Sequence, residues 1–219
     1  MKDDLISDTD SHVTSDLPNN VNSDYVAFDP VVDFLYEMGI LAKTPRSWPA
    51  FLGSGQQSVA EHVNRVVYIG FCLGHINGKV DVGRIVQMCQ FHDVTESRIS
   101  DLNYVHQKYT ERLEEKAEQD LINSLPFGNK IGELLEEYHE RKTYESMLAK
   151  DADNLELLIS LKEQIDIGNE RARTWVVPTV GRLKTNEAKL LADKILEIDS
   201  DNWWFDNKGD SWWINRNKK

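Results

Sequence analysis

Cysteine is scarce in this sequence, which contains only Cys72 and Cys89 among its 219 residues. Both lie inside apolar helical patterns, and they lack the close spacing of a thiolate metal site or a redox pair. Free cysteine in such surroundings behaves as a small hydrophobic residue. We therefore expect both side chains to be buried in a core.

Long apolar runs are also missing. The longest stretches, such as residues 66–74, are far too short to span a bilayer. The N-terminus has no apolar core followed by a small-residue cleavage site, so no secretory signal is predicted. The composition, 40% hydrophobic and 28% charged, is typical of a soluble globular protein. We expect no membrane partner, and the cytoplasm is the expected location.

Positive charge is in deficit, because the formal net charge is -12. A protein that coats nucleic acid needs clustered Lys and Arg to neutralise phosphates, so nucleic acid is disfavoured as a partner. A small anionic substrate remains compatible with this charge. A metal ion and one or two basic residues can reverse the field locally.

Alternating, strand-like patterns are scarce, and Trp175-Val176-Val177 is too short to build a sheet around. Apolar residues recur instead at helical spacing, which predicts an all-α fold. Ser58 and Glu61 form a capping-box pattern at the start of one predicted helix. The other predicted helices cover about residues 30–41, 82–93, 108–125, 130–139, 143–165 and 187–198.

The chain is long enough for one domain of ordinary size. Residues 1–25 are rich in Asp, Ser, Asn and Thr and are predicted to be a disordered or loosely ordered tail. Residues 26–200 are predicted to form the helical domain. Residues 201–219 hold four of the six tryptophans, and we expect this extension to pack on the domain because aromatic side chains bury large areas. A subunit contact or a lid over the site is the alternative.

Two histidines carry the first chemical signal. His62 lies on the apolar stripe of its helix, three residues after Val59 and four before Val66. His92 ends another apolar stripe and is followed directly by Asp93. Adjacent side chains on a regular helix diverge by about 100°. The His-Asp pair can therefore converge on one ion only where the helix ends or bends.

Each of these residues also has a simpler interpretation. A single histidine on an apolar face is more often a hydrogen-bonded core residue than a metal ligand. Buried carboxylates, however, are costly unless a cation pairs with them. Two histidines and two aspartates would form a mixed nitrogen and oxygen shell, which suits Mn, Co, Fe, Ni or Zn.

The second aspartate is ambiguous from periodicity. Asp151 lies near the edge of one apolar stripe of the helix over 143–165, and Asp153 lies in a second stripe. A helix that is apolar on two sides is expected to be central and buried, so either aspartate could face the site.

The order His…His-Asp…Asp on separate helices resembles the HD-domain metal-dependent phosphohydrolases. The wider pattern resembles the branch that contains the bacterial 5′-deoxynucleotidases and the eukaryotic HD-domain-containing protein 2. The resemblance covers about residues 30–200. The segments that carry it are Lys43–Pro49, Ser58–His62, His92–Glu96, Ser100–Leu102, Glu137–Tyr138 and Glu145–Glu156.

This resemblance implies an HD-domain helical bundle with a central metal site. The implied ligands are His62, His92, Asp93 and the aspartate three residues after Lys150, which is Asp153. They would hold one divalent ion, which could be Mn, Co, Ni, Fe, Zn or Mg.

Further roles follow from the same resemblance. Arg46 matches a phosphate-orienting arginine and Trp48 a sugar-packing tryptophan, with Lys43 as a second candidate for phosphate contact. Glu96 matches a general acid or base, and Asp101 a residue that orients the attacking water or holds the deoxyribose.

The sequence departs from the branch at two of these positions. Ser47 separates Arg46 from Trp48, which are adjacent in the bacterial nucleotidases. Ser100 precedes Asp101 where the family frequently has glycine.

The function implied is hydrolysis of nucleoside 5′-monophosphates, 2′-deoxynucleotides in particular, to nucleoside and phosphate by attack of metal-activated water. One alternative is a nucleoside triphosphate triphosphohydrolase or a pyrophosphohydrolase. Another is a nucleotide-binding protein without catalysis. The branch also suggests a homodimer.

Overall fold

A computed structural model describes residues 28–205, 209 and 211–216, and these residues are helical with no β-strand among them. The all-α fold is therefore confirmed. Within the same residues, no helix combines the length and apolarity needed to cross a membrane. The helices are α1 (Phe28–Met38), α2 (Pro49–Leu52), α3 (Val59–Asn77), α4 (Val82–Phe91), α5 (Glu96–Ile99), α6 (Glu114–Ser124), α7 (Gly128–Glu140), α8 (Tyr144–Asp166), α9 (Glu170–Val180), α10 (Asn186–Glu197), α11 (Asn202–Phe205) and α12 (Ser211–Asn215), with a 3₁₀ turn at His106–Lys108.

Helix α8 is the centre of the bundle. Helices α3, α4, α7, α9 and α10 all pack against it. Its leucines at positions 148, 155, 158 and 161 are fully buried. The two apolar stripes of its sequence therefore face neighbouring helices on different sides, as expected for a central helix.

Polar caps define the starts of α3 and α8, two of the helices that contribute residues to the site. Ser58 and Glu61 form the predicted capping box before α3: Ser58 Oγ accepts from Glu61 N at 3.2 Å, and Glu61 Oε2 accepts from Ser58 N at 2.6 Å. Thr143 Oγ1 accepts from Ser146 N at the start of α8. Each cap satisfies backbone N–H groups that have no partner within the helix.

Close packing of α3 on α4 depends on a glycine. A Cβ atom added at Gly70 would lie 2.6 Å from Cys89 Sγ. Since core atoms are packed at crystal-like density, a larger residue would push the two helices apart. Gly70 thus helps to hold the helix of His62 beside the helix that ends at His92.

Two helix predictions are wrong in part. Helix α6 begins at Glu114, not at residue 108, because the side chains of Tyr109 and Leu113 are exposed and do not continue the buried stripe. Helix α9 was not predicted, although residues 175–177 lie within it. Its β-branched valines and internal Pro178 weaken the local helical signal, and packing against α8 outweighs that preference.

The burial prediction holds for one cysteine. Cys89 is fully buried in the main core cluster. Cys72 is exposed, so that part of the prediction is wrong. It lies on the face of α3 opposite the core, where its apolar neighbour Phe71 is also exposed.

The sequence analysis predicted that both chain termini lie outside the helical domain. Residues 1–25, predicted to be a loosely ordered tail, lie outside the described residues. In the C-terminal extension, Trp203, Trp204 and Trp212 are exposed, and Trp204 and Trp212 each contact Trp213 edge-on. Packing of the whole extension on the domain stays a prediction.

Asp151 ties α8 to the start of α10. Its buried carboxylate accepts from the backbone N of Lys184 and of Thr185 and from Thr185 Oγ1, at 2.7 to 3.1 Å. These donors precede α10, whose own cap is Thr185. The aspartate therefore has a structural role in joining two helices.

Replacing Asp151 by alanine leaves these buried donors unpaired. We expect Asp151→Ala to lower the free energy of unfolding by about 3 kcal/mol, measured by urea denaturation. Asp193→Ala, at an exposed position of α10, is the control and should change stability by less than about 0.5 kcal/mol. Equal stabilities of the two variants would contradict this role.

Candidate metal centre

Two imidazoles and two carboxylates meet beneath a cavity between the helices. His62 Nε2 lies 3.3 Å from His92 Nε2, and both nitrogens lie close to Asp93 Oδ2, at 3.4 and 3.2 Å. Asp153 Oδ1 lies 3.2 Å from His62 Nε2 and 3.9 Å from His92 Nε2. The structure thus brings together the four residues that the sequence analysis assigned as ligands.

The His-Asp pair converges because its helix ends there. Helix α4 stops at Phe91 and His92 is its C-cap, followed by turns in which Val94 N donates to Phe91 O and Glu96 N to Asp93 O. The turn rotates Asp93 back towards the side on which His92 lies. The sequence analysis required such a helix end for the His-Asp pair to converge on one ion.

The outer nitrogen of each histidine has a fixed partner. His92 Nδ1 donates to the carbonyl oxygen of Cys89 at 2.8 Å, and His62 Nδ1 lies 2.6 Å from Glu156 Oε2. A carbonyl can only accept, so in the neutral imidazole the lone pair lies on Nε2, the atom that faces the cluster. Metal-ligating histidines are oriented by partners of this kind.

The donor set fits one divalent ion. Ligand atoms about 2.1 Å from a common ion lie about 3 to 3.5 Å apart, close to the spacings of this cluster. The surrounding carboxylates also favour a positive charge on His62. Burial and the Arg46 charge lower the pKa of His62, but hydrogen bonds to Asp153 and Glu156 outweigh them and raise it to about 9.

The choice between the two aspartates follows from their partners. Asp153 Oδ2 accepts from Lys150 Nζ at 2.7 Å and from Tyr138 OH at 3.2 Å, which leaves Oδ1 facing the histidines. Burial raises the pKa of Asp153, but the charge of Lys150 and the His62 hydrogen bond hold it well below its usual range. Asp151, in contrast, is bonded to the start of α10. The geometry therefore favours Asp153 as the fourth ligand.

Arg46 joins the metal cluster to two further acids. Its Nη1 atom lies 3.1 Å from Asp93 Oδ2, 3.3 Å from Asp101 Oδ2 and 3.8 Å from Glu96 Oε2. Burial lowers the pKa of Arg46, but the surrounding carboxylates raise it above its usual range. Arg46 Nε and Glu96 Oε2 are buried and have no hydrogen-bond partner among the described residues. Unpaired buried atoms of this kind are expected where a ligand binds.

The pKa of Glu96 lies well above its ordinary value. Burial, together with the charges of Asp93 and Asp101, raises this pKa to about 9, while Arg46 acts in the opposite direction. A divalent cation held by Asp93 would draw this pKa down, so the carboxyl group can work as an acid or a base.

The two departures from the family pattern are adjacent in space. Ser47 N donates to Asp101 Oδ2 at 2.9 Å, and Ser47 Oγ donates to Asp101 Oδ1 at 3.2 Å. The residue inserted between Arg46 and Trp48 thus binds the acid that follows Ser100. Ser100 itself has φ of 63° and ψ of 162°, a conformation that favours glycine.

A cavity of about 740 Å³ opens above the cluster. Trp48 is buried beside it and donates through Nε1 to Gln57 Oε1. Lys43 is exposed and lines a neighbouring cleft. Those of the proposed site residues that line the cavity are Arg46, Trp48, His92, Asp93, Glu96, Asp101 and Asp153.

The sequence analysis did not predict Glu156, which contacts His62 Nδ1, or the partners of Glu156. Glu156 accepts from Arg65 Nη2 at 2.7 Å and from Gln57 Nε2 at 2.6 Å, and Gln57 in turn accepts from Trp48. Glu156 lies one turn after Asp153 on α8 and is fully buried. The available signal was an acid flanked by Leu155 and Leu157 on a helix expected to be central, because a buried acid needs partners.

The chain is similar to proteins of one known family. A family model described as HD domain matches residues 38–194. A 5′-deoxynucleotidase HDDC2 of Dictyostelium discoideum is 32% identical over 119 residues, which are 49% of this chain and 62% of that protein. One of Danio rerio is 26% identical over 162 residues, 70% of this chain and 80% of that protein. A structure from Magnetospirillum magnetotacticum MS-1, named a predicted metal-dependent phosphohydrolase, has a TM-score of 0.62 at 23% identity over 77% of this chain and 92% of that one, and shows the fold alone.

Glycine at position 100 should relieve the backbone strain. We expect Ser100→Gly to raise the free energy of unfolding by about 1 kcal/mol, since the strain released exceeds the added entropy of the unfolded chain. Ser100→Ala keeps the Cβ atom and is the control, with no expected gain. Thermal or urea unfolding measures both variants, and a gain in the alanine variant would contradict the argument.

Glutamine at position 156 should weaken metal binding by removing the charge behind His62. We expect Glu156→Gln to raise the dissociation constant for Mn²⁺ by about tenfold or more in isothermal titration calorimetry. Glu163→Gln is the matched control, because Glu163 also pairs with Arg65 but has a side chain that is 47% exposed. Equal losses in the two variants would assign the effect to Arg65 instead.

Proposed function

The chain belongs to the HD-domain family, and on that premise we propose that it is a metal-dependent phosphohydrolase that releases orthophosphate from nucleoside 5′-monophosphates, 2′-deoxynucleotides in particular. One observation carries the proposal. The buried Nε atom of Arg46 has no hydrogen-bond partner among the described residues, and this arginine lies next to a two-histidine, two-aspartate cluster at the base of a cavity. This combination suits a phosphate group.

The residues proposed to hold the ion are His62, His92, Asp93 and Asp153. When bound, a divalent ion polarises phosphoryl oxygens and lowers the pKa of water. The remaining steps depend on side chains around it. Arg46 pairs with Asp93 and Asp101, and a bound ion that neutralises Asp93 would leave the guanidinium available to the substrate. A guanidinium binds phosphate through paired hydrogen bonds.

Hydrolysis forms a bond from the water oxygen to phosphorus and breaks the bond from phosphorus to O5′. The leaving O5′ takes up one proton and the attacking water loses one, so the donor carboxyl group is reprotonated over the whole reaction. Glu96 is the proposed donor, because it is buried beside Asp93 and its pKa is raised. Asp101, held by Ser47, is proposed to orient the attacking water or the sugar.

The preference for 2′-deoxyribose rests on two supports. Trp48 lies two residues after Arg46 and offers an apolar ring beside the phosphate position. The relatives from Dictyostelium discoideum and Danio rerio carry the name 5′-deoxynucleotidase. A nucleotide partner, a cytoplasmic location and a homodimer belong to the same proposal.

A phosphate-release screen tests this function. Purified protein is incubated with deoxy- and ribonucleoside mono- and triphosphates, with Mn²⁺, Co²⁺, Mg²⁺ and Zn²⁺ in parallel. We expect orthophosphate from the deoxynucleoside monophosphates, and we expect Arg46→Ala to lower kcat/KM by about 100-fold or more, because it removes a charge-assisted phosphate contact. Arg173→Ala, which breaks an exposed pair with Glu170, is the control with unchanged activity.

The products separate the alternatives. Tripolyphosphate or pyrophosphate from triphosphates, without hydrolysis of monophosphates, would replace the proposal by a triphosphohydrolase or a pyrophosphohydrolase. If the protein bound nucleotides but released no phosphate with any of the four metals, it would be a nucleotide-binding protein without catalysis. Full metal-dependent activity in His92→Ala would contradict the assigned centre.

A further inference from the structure

Three aromatic rings from distant parts of the chain meet beside the cavity. Phe51 comes from α2, Tyr104 from the segment after α5, and Trp175 from α9. Their ring centroids are 6.5 Å apart for Phe51 and Tyr104, 6.2 Å for Phe51 and Trp175, and 6.1 Å for Tyr104 and Trp175. These distances lie in the range of aromatic contacts. We call the three rings the aromatic platform.

The platform borders the same cavity as the metal cluster. Tyr104 and Trp175 line it together with His92, Asp93 and Arg46. Trp175 also packs against the core cluster that contains Trp48, so its position has a structural cause. The Tyr104 side chain is 49% exposed, which leaves aromatic surface open beside the cavity that it lines.

Tyr104 is held in place by a basic residue of the same cavity. Arg182 Nη2 donates to Tyr104 OH at 3.2 Å. Arg182 follows α9, so this bond joins the segment after α5 to the connection between α9 and α10. The exposed tyrosine ring therefore has a defined orientation, and the planar guanidinium beside it is itself a surface on which rings stack.

A series of contacts and chain neighbours links the proposed phosphate position to the platform. Arg46 contacts Asp93 at the position proposed for the phosphate. Trp48 lies two residues from Arg46, and Trp175 packs on the cluster of Trp48. Tyr104 contacts Trp175. A nucleotide likewise joins a phosphate, a sugar and a base in succession.

We propose that the aromatic platform binds the nucleobase of the substrate, with the base stacked against Tyr104 and Trp175 while the phosphate lies at Arg46. This inference rests on the proposed function and adds the part of the site that recognises the base. Stacking on aromatic rings accepts any base, because every base has a π face. The platform would therefore favour nucleotides over phosphate monoesters that lack a base.

A phosphate ester without a base makes the test specific. Wild-type protein, Tyr104→Ala, Tyr104→Phe and Tyr109→Ala are compared on 2′-deoxyadenosine 5′-monophosphate and on 2-deoxyribose 5-phosphate. Tyr109 is the matched control, because it lies in the same connection and its side chain is 85% exposed. The phenylalanine variant keeps the ring and loses only the hydroxyl bond to Arg182.

We expect Tyr104→Ala to raise the KM for the nucleotide about tenfold, the size of one base stacked on one aromatic ring. Its KM for 2-deoxyribose 5-phosphate should change less than about twofold, since that ester has no base to stack. Tyr104→Phe should retain most of the affinity for the nucleotide, and Tyr109→Ala should match wild type. Equal losses on both substrates, or no loss in Tyr104→Ala, would overturn the inference.

Failure of the proposed function gives a different result. Wild-type protein would then release no phosphate from either compound. Equilibrium dialysis of 2′-deoxyadenosine 5′-monophosphate against wild type and Tyr104→Ala tests the platform in that case. Binding that weakens about tenfold in the variant would support base stacking without hydrolysis, whereas absent binding or equal binding would overturn it.

Discussion

Buried charge is the constraint on which the rest of this structure depends. Glu156 is fully buried, and Asp93 and Asp153 are partly buried at the base of the cavity, where an unpaired charge is costly. Each is paired with a different cation or hydrogen-bond donor: Asp93 with Arg46, Asp153 with Lys150, and Glu156 with Arg65. The histidines lie between these pairs. A divalent ion at this position would complete the balance of charge and remove the need for a proton on His62.

Helix α8 carries three acidic residues that have three different roles. Asp151, Asp153 and Glu156 all lie within six consecutive residues of one helix, yet they face α10, the histidine cluster and α3. This is possible because neighbouring helices surround α8 on nearly every side. The helix thus joins the fold to the site: the residue that anchors α10 is two positions from a proposed metal ligand.

Loops complete the site where the helices end. Ser47 and Ser100 both depart from the family pattern, and the first binds Asp101 while the second holds the backbone that leads to it. A change in the loop before α2 is therefore matched by contacts to the loop after α5. The strain at Ser100 fits the general finding that unusual backbone conformations occur near functional sites.

Much of this arrangement could be predicted from the chain alone. Helical periodicity located α3, α4, α7, α8 and α10, since a buried apolar stripe has a repeat that the sequence displays. It placed the start of α6 too early, because exposed apolar residues continued the periodic pattern of the buried ones. It did not predict α9, because valine and proline have low helix propensity and that helix depends on packing. Motif spacing identified the histidines and the His-Asp pair.

The sequence by itself determined which residue types can bind an ion, since ligand chemistry and helical spacing are local properties. Tertiary structure decided which of Asp151 and Asp153 faces the histidines, because that depends on where α10 and α7 lie around α8. It also decided the partners of Glu156 and the meeting of Tyr104 with Trp175. These residues are far apart in the chain, and only the packing of separate elements brings their side chains together.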